Sequence, residues 1–283
     1  MSEREEEEEK RREYLWKSFV GRDLTELADQ GIIGPIYERK DIIEYLDSLI
    51  AQGEINPLLV GEPGVGKNAV VEGLACWIAE KKALTDKKVK ECTFISFQSG
   101  CQYAHEIETK VQTIVDKLRE HNTILFFDRI NLSLECGGAQ GVEERTIAVL
   151  LDPYLARNEL TIIGATTPDG YDAMLKRNPS FTNRFVKVDV PPTSSEETKR
   201  ILFDLKGKFE EKYNIKIQPS SIETIIDMSD RFYPGRFFPG KAFEILRELI
   251  TMKRDPHRKH KKRSSFELLR DELITLADRE VED

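Results

Sequence analysis

Apolar and polar positions follow two different rhythms along this chain, and the change comes near residue 192. Up to there, short apolar runs alternate with amphipathic stretches. "NPLLV" at 56–60 reads as a buried strand that runs through a Gly-rich turn into an amphipathic helix ending near residue 82. "CTFISF" (92–97), "TILFFD" (123–128), "LTIIGATT" (160–167) and "RFVKVDVPP" (184–192) read as four further strands. Helices are predicted over 21–31, 37–53, 106–122 and 143–159, with Gly31 and Gly53 ending the first two. Strands alternating with helices predict an α/β fold with a five-stranded parallel sheet covered on both faces. After Pro192 the strands stop. Residues 194–213, 220–232 and 240–254 carry helical spacing, which predicts a small all-α second domain. The expected organisation is a charged extension (1–23), an α/β domain (24–192), a helical lid (193–253) and a basic linker with a charged C-terminal helix (254–283).

Composition narrows the class without choosing a function. A chain of 283 residues, 39% hydrophobic and 33% charged, suits two modest soluble domains. No apolar run approaches the roughly 20 residues that span a bilayer. The first residues are charged where an export signal needs an apolar stretch. Four cysteines without C-x-x-C spacing and four scattered histidines argue for a reducing, cytoplasmic compartment and against a Cys/His metal site. A formal net charge of −8 argues against wholesale nucleic-acid binding. Residues 1–13 are a charge run, helical or disordered. "HRKHKKR" (257–263) is a solvated linker or a contact for phosphate, a protein partner or nucleic acid.

Chemistry concentrates in "GEPGVGKNA". Gly61, Glu62, Pro63, Gly64, Val65, Gly66 and Lys67 fit G-x-x-x-x-G-K between a predicted strand and a predicted helix, the context this phosphate-binding motif requires. The glycines let backbone approach a phosphate chain without Cβ clashes. Backbone amides and the helix N-terminus at Lys67, Asn68 and Ala69 supply positive potential, and the Lys67 ammonium reaches terminal phosphates. A plain Gly-rich turn is the alternative. Asn68 stands where a hydroxyl usually holds Mg²⁺; its amide oxygen is a hard ligand on a side chain one atom longer, so the metal contact is expected to be weak or water-mediated.

"GEPGVGKNAVVEGLA", "ILFFD", "LDPYLARNELTIIGATTPDGY" and "NRFVKV" follow one another in an order and spacing that resembles the first ATPase module of the Clp-type AAA+ unfoldases and disaggregases, from about residue 24 to about 253. The resemblance implies an AAA+ P-loop fold with a helical lid, ATP or ADP and Mg²⁺ as ligands, and homo- or hetero-oligomeric contacts between modules. It places Ile36 and Tyr37 around adenine and Lys241 where the lid reaches back toward nucleotide, ordinary packing and a surface lysine being the plain alternatives. It gives Asp128, with Asn68, the metal, and Thr166 and Thr167 the polar sensor between phosphate and water. Arg184 matches an arginine finger for a neighbouring subunit, or else forms a structural salt bridge; Asn183 replaces the family's other arginine. Tyr103 matches the tyrosine that grips an extended polypeptide client, although Gln102, Ala104 and His105 replace its usual flanks. "ECGGAQG" (135–141) is a second pore loop or a linker. One module and a lid are visible, cut from something larger or a stand-alone relative.

One position sets the functional expectation. The family places a carboxylate directly after Asp128 to polarise the attacking water; this chain has Arg129. Losing a positioned general base typically lowers a rate by about 10²–10⁴-fold. Arg129 also adds a fixed positive charge, free to pair with phosphate or with Asp128. The resulting expectation is a module that binds adenine nucleotide and hydrolyses it slowly or not at all. The competing classes are an active polypeptide-threading ATPase, a nucleotide-independent scaffold, and a DNA-associated switch using the basic run.

Overall fold

The computed structural model describes residues 9–10, 13–14, 16, 20–34, 36–53, 55–81, 87–92, 104–134 and 146–254. The chain divides into two compact units, one of residues 1–62 and 67–190, the other of residues 63–66 and 191–283.

The first unit is built on a six-stranded sheet in the order β1-β3-β4-β5-β2-β6. Its strands are β1 (Val20–Asp23), β2 (Asn56–Val60), β3 (Lys88–Cys92), β4 (Thr123–Phe127), β5 (Thr161–Thr166) and β6 (Phe185–Asp189). The helices are α1 (Leu24–Asp29), α2 (Lys40–Ala51), α3 (Lys67–Glu80), α4 (Ala104–Glu120), α5 (Ile147–Ala156), α6 (Pro168–Arg177) and α7 (Pro179–Thr182), with a 3₁₀ turn at Ile130–Leu134. β2 and β4 are buried at every position, as central strands covered on both faces should be. In parallel register Val60 lies beside Thr166 and Phe127 beside Gly164. The carboxyl ends of β2, β4 and β5 therefore open at one edge of the sheet, where open α/β sheets bind ligands.

Two expectations need correction. The sheet has six strands, not five, and is not wholly parallel: β1 pairs antiparallel with β3. β1 is only four residues long and mostly polar, so it carries no apolar run to betray it. It is fastened by Arg22–Glu91 at 2.7 Å and Lys90–Asp23 at 3.2 Å, while Gly21 allows an approach in which a Cβ would stand 2.9 Å from the Glu91 carbonyl. The second predicted strand, 92–97, shares only Cys92 with β3, and residues 93–97 lie outside the described residues. "KVKEC" buries only Val89 and Cys92, so its polar content hid it beside the more apolar "CTFISF". The helices α6 and α7, which begin at Pro168 and Pro179, and the 3₁₀ turn also went unpredicted, being short.

The charged extension is not all outside the fold. Trp16 belongs to the main core at 6% exposure and stacks on His121, and Glu9 meets Lys117 at 2.9 Å.

The second unit has its own core. Helices α8 (Ser195–Tyr213), α9 (Pro219–Phe232) and α10 (Gly240–Arg254) pack Ile222, Ile225, Ala242 and Ile245 together. A capping box starts α8: the Ser194 side chain accepts from Glu197 N, and Glu197 Oε2 accepts from Ser194 N at 2.7 Å. Among the described residues no helix is long and apolar enough to cross a membrane.

Trp16→Ala is expected to lower stability by about 3 kcal/mol, the usual scale for removing a buried aromatic side chain. A urea unfolding midpoint indistinguishable from the parent's would show that residue 16 is peripheral.

Candidate functional site

The site begins where β2 ends. Gly61 N–H donates to the Thr166 carbonyl at 3.2 Å, which ties the start of the loop to the end of β5. Gly64 and Gly66 hold φ of +88° and +98°, a region that L side chains rarely adopt. Between them Val65 is buried at 1% exposure and anchors the turn, while Pro63 and Gly64 are exposed. The loop delivers the chain into α3, whose first residue is Lys67. The amides of a helix N-terminus favour an anion.

Lys67 turns back along its own loop. Its Nζ donates to the carbonyls of Gly61 at 2.7 Å and Glu62 at 3.0 Å. These are neutral acceptors. Burial holds the Lys67 ammonium below the usual lysine range, an effect that the more distant charges of Asp128 and Glu62 partly oppose. A polyphosphate arriving here would recover what burial takes away.

Asn68 and Ala69 follow, both exposed on the first turn of α3. The Asn68 amide Nδ2 donates to Asp128 Oδ2 at 3.4 Å, so the structure brings together the two residues expected to serve a metal. They meet as donor and acceptor. Mg²⁺ demands hard oxygen ligands in a near-ideal octahedron. Here the amide nitrogen faces the single carboxylate, Lys67 acts on that carboxylate electrostatically, and Arg129 adjoins it in sequence. That donor set does not suit a divalent cation.

Arg129 sits just past β4 in the left-handed region, at φ +56°. Its carbonyl accepts from Leu132 N at 3.0 Å, opening the 3₁₀ turn. The side chain is exposed, and among the described residues it forms no ion pair with Asp128 or any other carboxylate.

Thr166 and Thr167 have separate duties. Thr166 is buried at 1% exposure, and its Oγ1 donates to Asn131 Oδ1 at 2.9 Å. Gly170 leaves that hydroxyl its space, since a Cβ there would lie 2.2 Å from Thr166 Oγ1. Thr167 caps α6, its Oγ1 accepting from Gly170 N at 3.1 Å. Asn131 escaped sequence reasoning. Its signal was faint: a polar residue between Ile130 and Leu132, three positions beyond Asp128.

Ile36 packs against α3, its Cγ2 standing 2.4 Å from where a Cβ on Gly73 would be, and Tyr37 is half-buried beside it in sequence. Arg184 Nε donates to Asp152 Oδ1 at 2.9 Å, with Ser180 Oγ on the other carboxylate oxygen at 3.4 Å. Nothing local in the sequence joins residues 32 positions apart, so Asp152 was not foreseen. Within the helical unit the Lys241 ammonium is buried and pairs with Asp230 at 2.6 Å. Tyr103, the 135–141 segment and the 257–263 basic run lie outside the described residues.

Comparison with known proteins identifies the family and the fold. The family model described as "ATPase family associated with various cellular activities (AAA)" matches residues 57–188, and an AAA lid domain model matches residues 194–282. The chaperone protein ClpB of Aquifex aeolicus is 35% identical over 239 residues, 83% of this chain and 24% of that protein. The ATP-dependent Clp protease ATP-binding subunit ClpL of Staphylococcus aureus is 36% identical over 234 residues, 80% of this chain and 33% of that protein. This chain thus spans about a quarter to a third of the length of these curated relatives. Among solved structures, an extended Saccharomyces cerevisiae Hsp104–casein complex superposes with a TM-score of 0.77 at 27% identity, covering 87% of this chain and 42% of that one. A closed Hsp104 with ATPγS and casein gives a TM-score of 0.75 at 28% identity, covering 84% and 41%.

The two threonines can be separated by stability. Thr166→Val strands the Asn131 amide and is expected to lower stability by about 1–3 kcal/mol; Thr167→Ala removes a helix cap, worth about 1 kcal/mol. Thermal melts of both variants check this, and no loss in Thr166→Val would mean that its hydroxyl bond is not made in solution.

Proposed function

This chain belongs to the Clp-type AAA+ ATPases, and we propose that it is a nucleotide-holding module of that family, one that binds ATP or ADP and hydrolyses slowly or not at all. The observation that carries the reading is Arg129. It occupies the strand-end position after Asp128, exposed and unpaired with that carboxylate, beside a phosphate loop whose Lys67 and glycines are in place.

In this reading the amides at the start of α3 and the Lys67 ammonium bind the phosphates, and Val65 holds the loop's shape. Ile36 and Tyr37 lie against the adenine. Asn131 and Thr166, linked at 2.9 Å, present a fixed polar pair at the ends of β4 and β5. Water bound near the terminal phosphate meets a guanidinium at residue 129, which cannot take its proton at any ordinary pH. Substrate is therefore held without the base that turnover needs.

Assembly with other copies or with a related subunit belongs to the same proposal. Arg184 is 38% exposed and forms a salt bridge with Asp152 at 2.9 Å; in this reading it exchanges that partner for a neighbour's phosphate. ClpB's name of chaperone and the casein bound to Hsp104 support a polypeptide client, and the buried thiols Cys76 and Cys92 suit a cytoplasmic setting.

A thermal melt with ATP or ADP at about 100 times its Kd is expected to show stabilisation of about 2.7 kcal/mol. Lys67→Ala should abolish that shift. Steady-state phosphate release is expected well below about 1 s⁻¹, the low end of ordinary enzyme turnover. Release at or above that rate, lost in Lys67→Ala, would establish an active ATPase instead.

A further inference from the structure

We infer that this site binds adenine nucleotide without a magnesium ion, because Arg129 and the Asn68 amide take over the cation's duties beside the phosphates. The inference rests on the nucleotide-binding reading above and concerns the charge that accompanies the ligand.

Three observations support it. First, Asp128 is the only carboxylate at the end of β4, and it already accepts from the Asn68 amide at 3.4 Å. In this arrangement the amide nitrogen of Asn68, and not its metal-binding oxygen, meets the carboxylate. Second, the Lys67 ammonium is half-buried and satisfied by two carbonyls, so within hydrogen-bond range its positive charge meets only neutral acceptors. Third, Arg129 is exposed and, among the described residues, without an ion-pair partner, on a backbone at φ +56°.

The chemistry follows from charge. Magnesium serves a nucleotide chiefly by neutralising its phosphate oxygens and fixing their geometry. A guanidinium does both by bidentate hydrogen bonding to phosphate, and it is permanently charged. Lys67 and the α3 N-terminus supply further positive potential. A divalent cation entering the same space would face two fixed cations and a carboxylate already engaged by an amide. Retaining nucleotide after chelation is the behaviour of such a site.

The test is a calorimetric titration of the chain with ADP and with ATP, in excess EDTA and in Mg²⁺. Affinities within about threefold of each other in the two media are expected, and a loss of about tenfold or more on chelation would overturn the inference. The double variant Asn68→Thr/Arg129→Glu restores a hydroxyl and a second carboxylate and is expected to become metal-dependent by about tenfold or more. Equal affinity in both media for that variant would show that these two residues are not the cause. Both positions are exposed, and a melt without nucleotide checks that the fold is kept. If the double variant does not fold, Arg129→Gln serves in its place and is expected to bind about tenfold more weakly in EDTA; unchanged affinity would count against the assignment. Absence of binding by the parent chain in either medium would instead overturn the nucleotide-binding reading, and this inference with it.

Discussion

Lys67 folds back so that its ammonium lies 2.7 Å from the Gly61 carbonyl and 3.0 Å from that of Glu62. A cation is thereby kept half-buried inside a loop that gives it only neutral acceptors. Gly64 and Gly66 supply the left-handed turns, Val65 plugs into the core, and Gly61 is tied to the end of β5. Each contact fixes the loop's shape. The sheet register that aligns Val60 with Thr166 then sets Asp128, Asn131 and Thr166 along the same edge.

Around that preserved cradle the chemistry has changed sign. Where an ordinary hydrolase of this fold would gather carboxylate and divalent metal, this chain gathers amide and guanidinium. Asn68 and Arg129 lie on separate elements, the first turn of α3 and the end of β4, yet both bear on Asp128: one by a hydrogen bond, the other by adjacency. A single substitution could be read as drift. In the proposed reading the two have a common physical sense, since both favour holding phosphate over cleaving it.

Much of this was legible in the sequence because the central strands carry their own signal. "NPLLV" and "TILFF" are buried at every position, and buried runs read as strands whatever their neighbours. The phosphate loop and Arg129 were equally plain, being local patterns. The β1 side of the sheet was not, because β1 and β3 are largely polar and are joined by cross-strand charges such as Arg22–Glu91 rather than by apolar content. The partners of the site residues were hidden for another reason. Asn131 under Thr166 and Asp152 beside Arg184 are set by tertiary register, the partners standing 35 and 32 positions apart. Lys241 shows the same limit, since its pairing with Asp230 depends on how α9 and α10 pack.

The central claim concerns the fate of bound ATP, and one measurement addresses it directly. A substoichiometric amount of ATP is mixed with excess chain and quenched in acid after about ten seconds, several turnovers for an ordinary enzyme at about 1 s⁻¹, and the nucleotide is identified by chromatography. The account predicts ATP recovered intact. Recovery as ADP would mean that a base other than residue 129 completes the chemistry, and would contradict it.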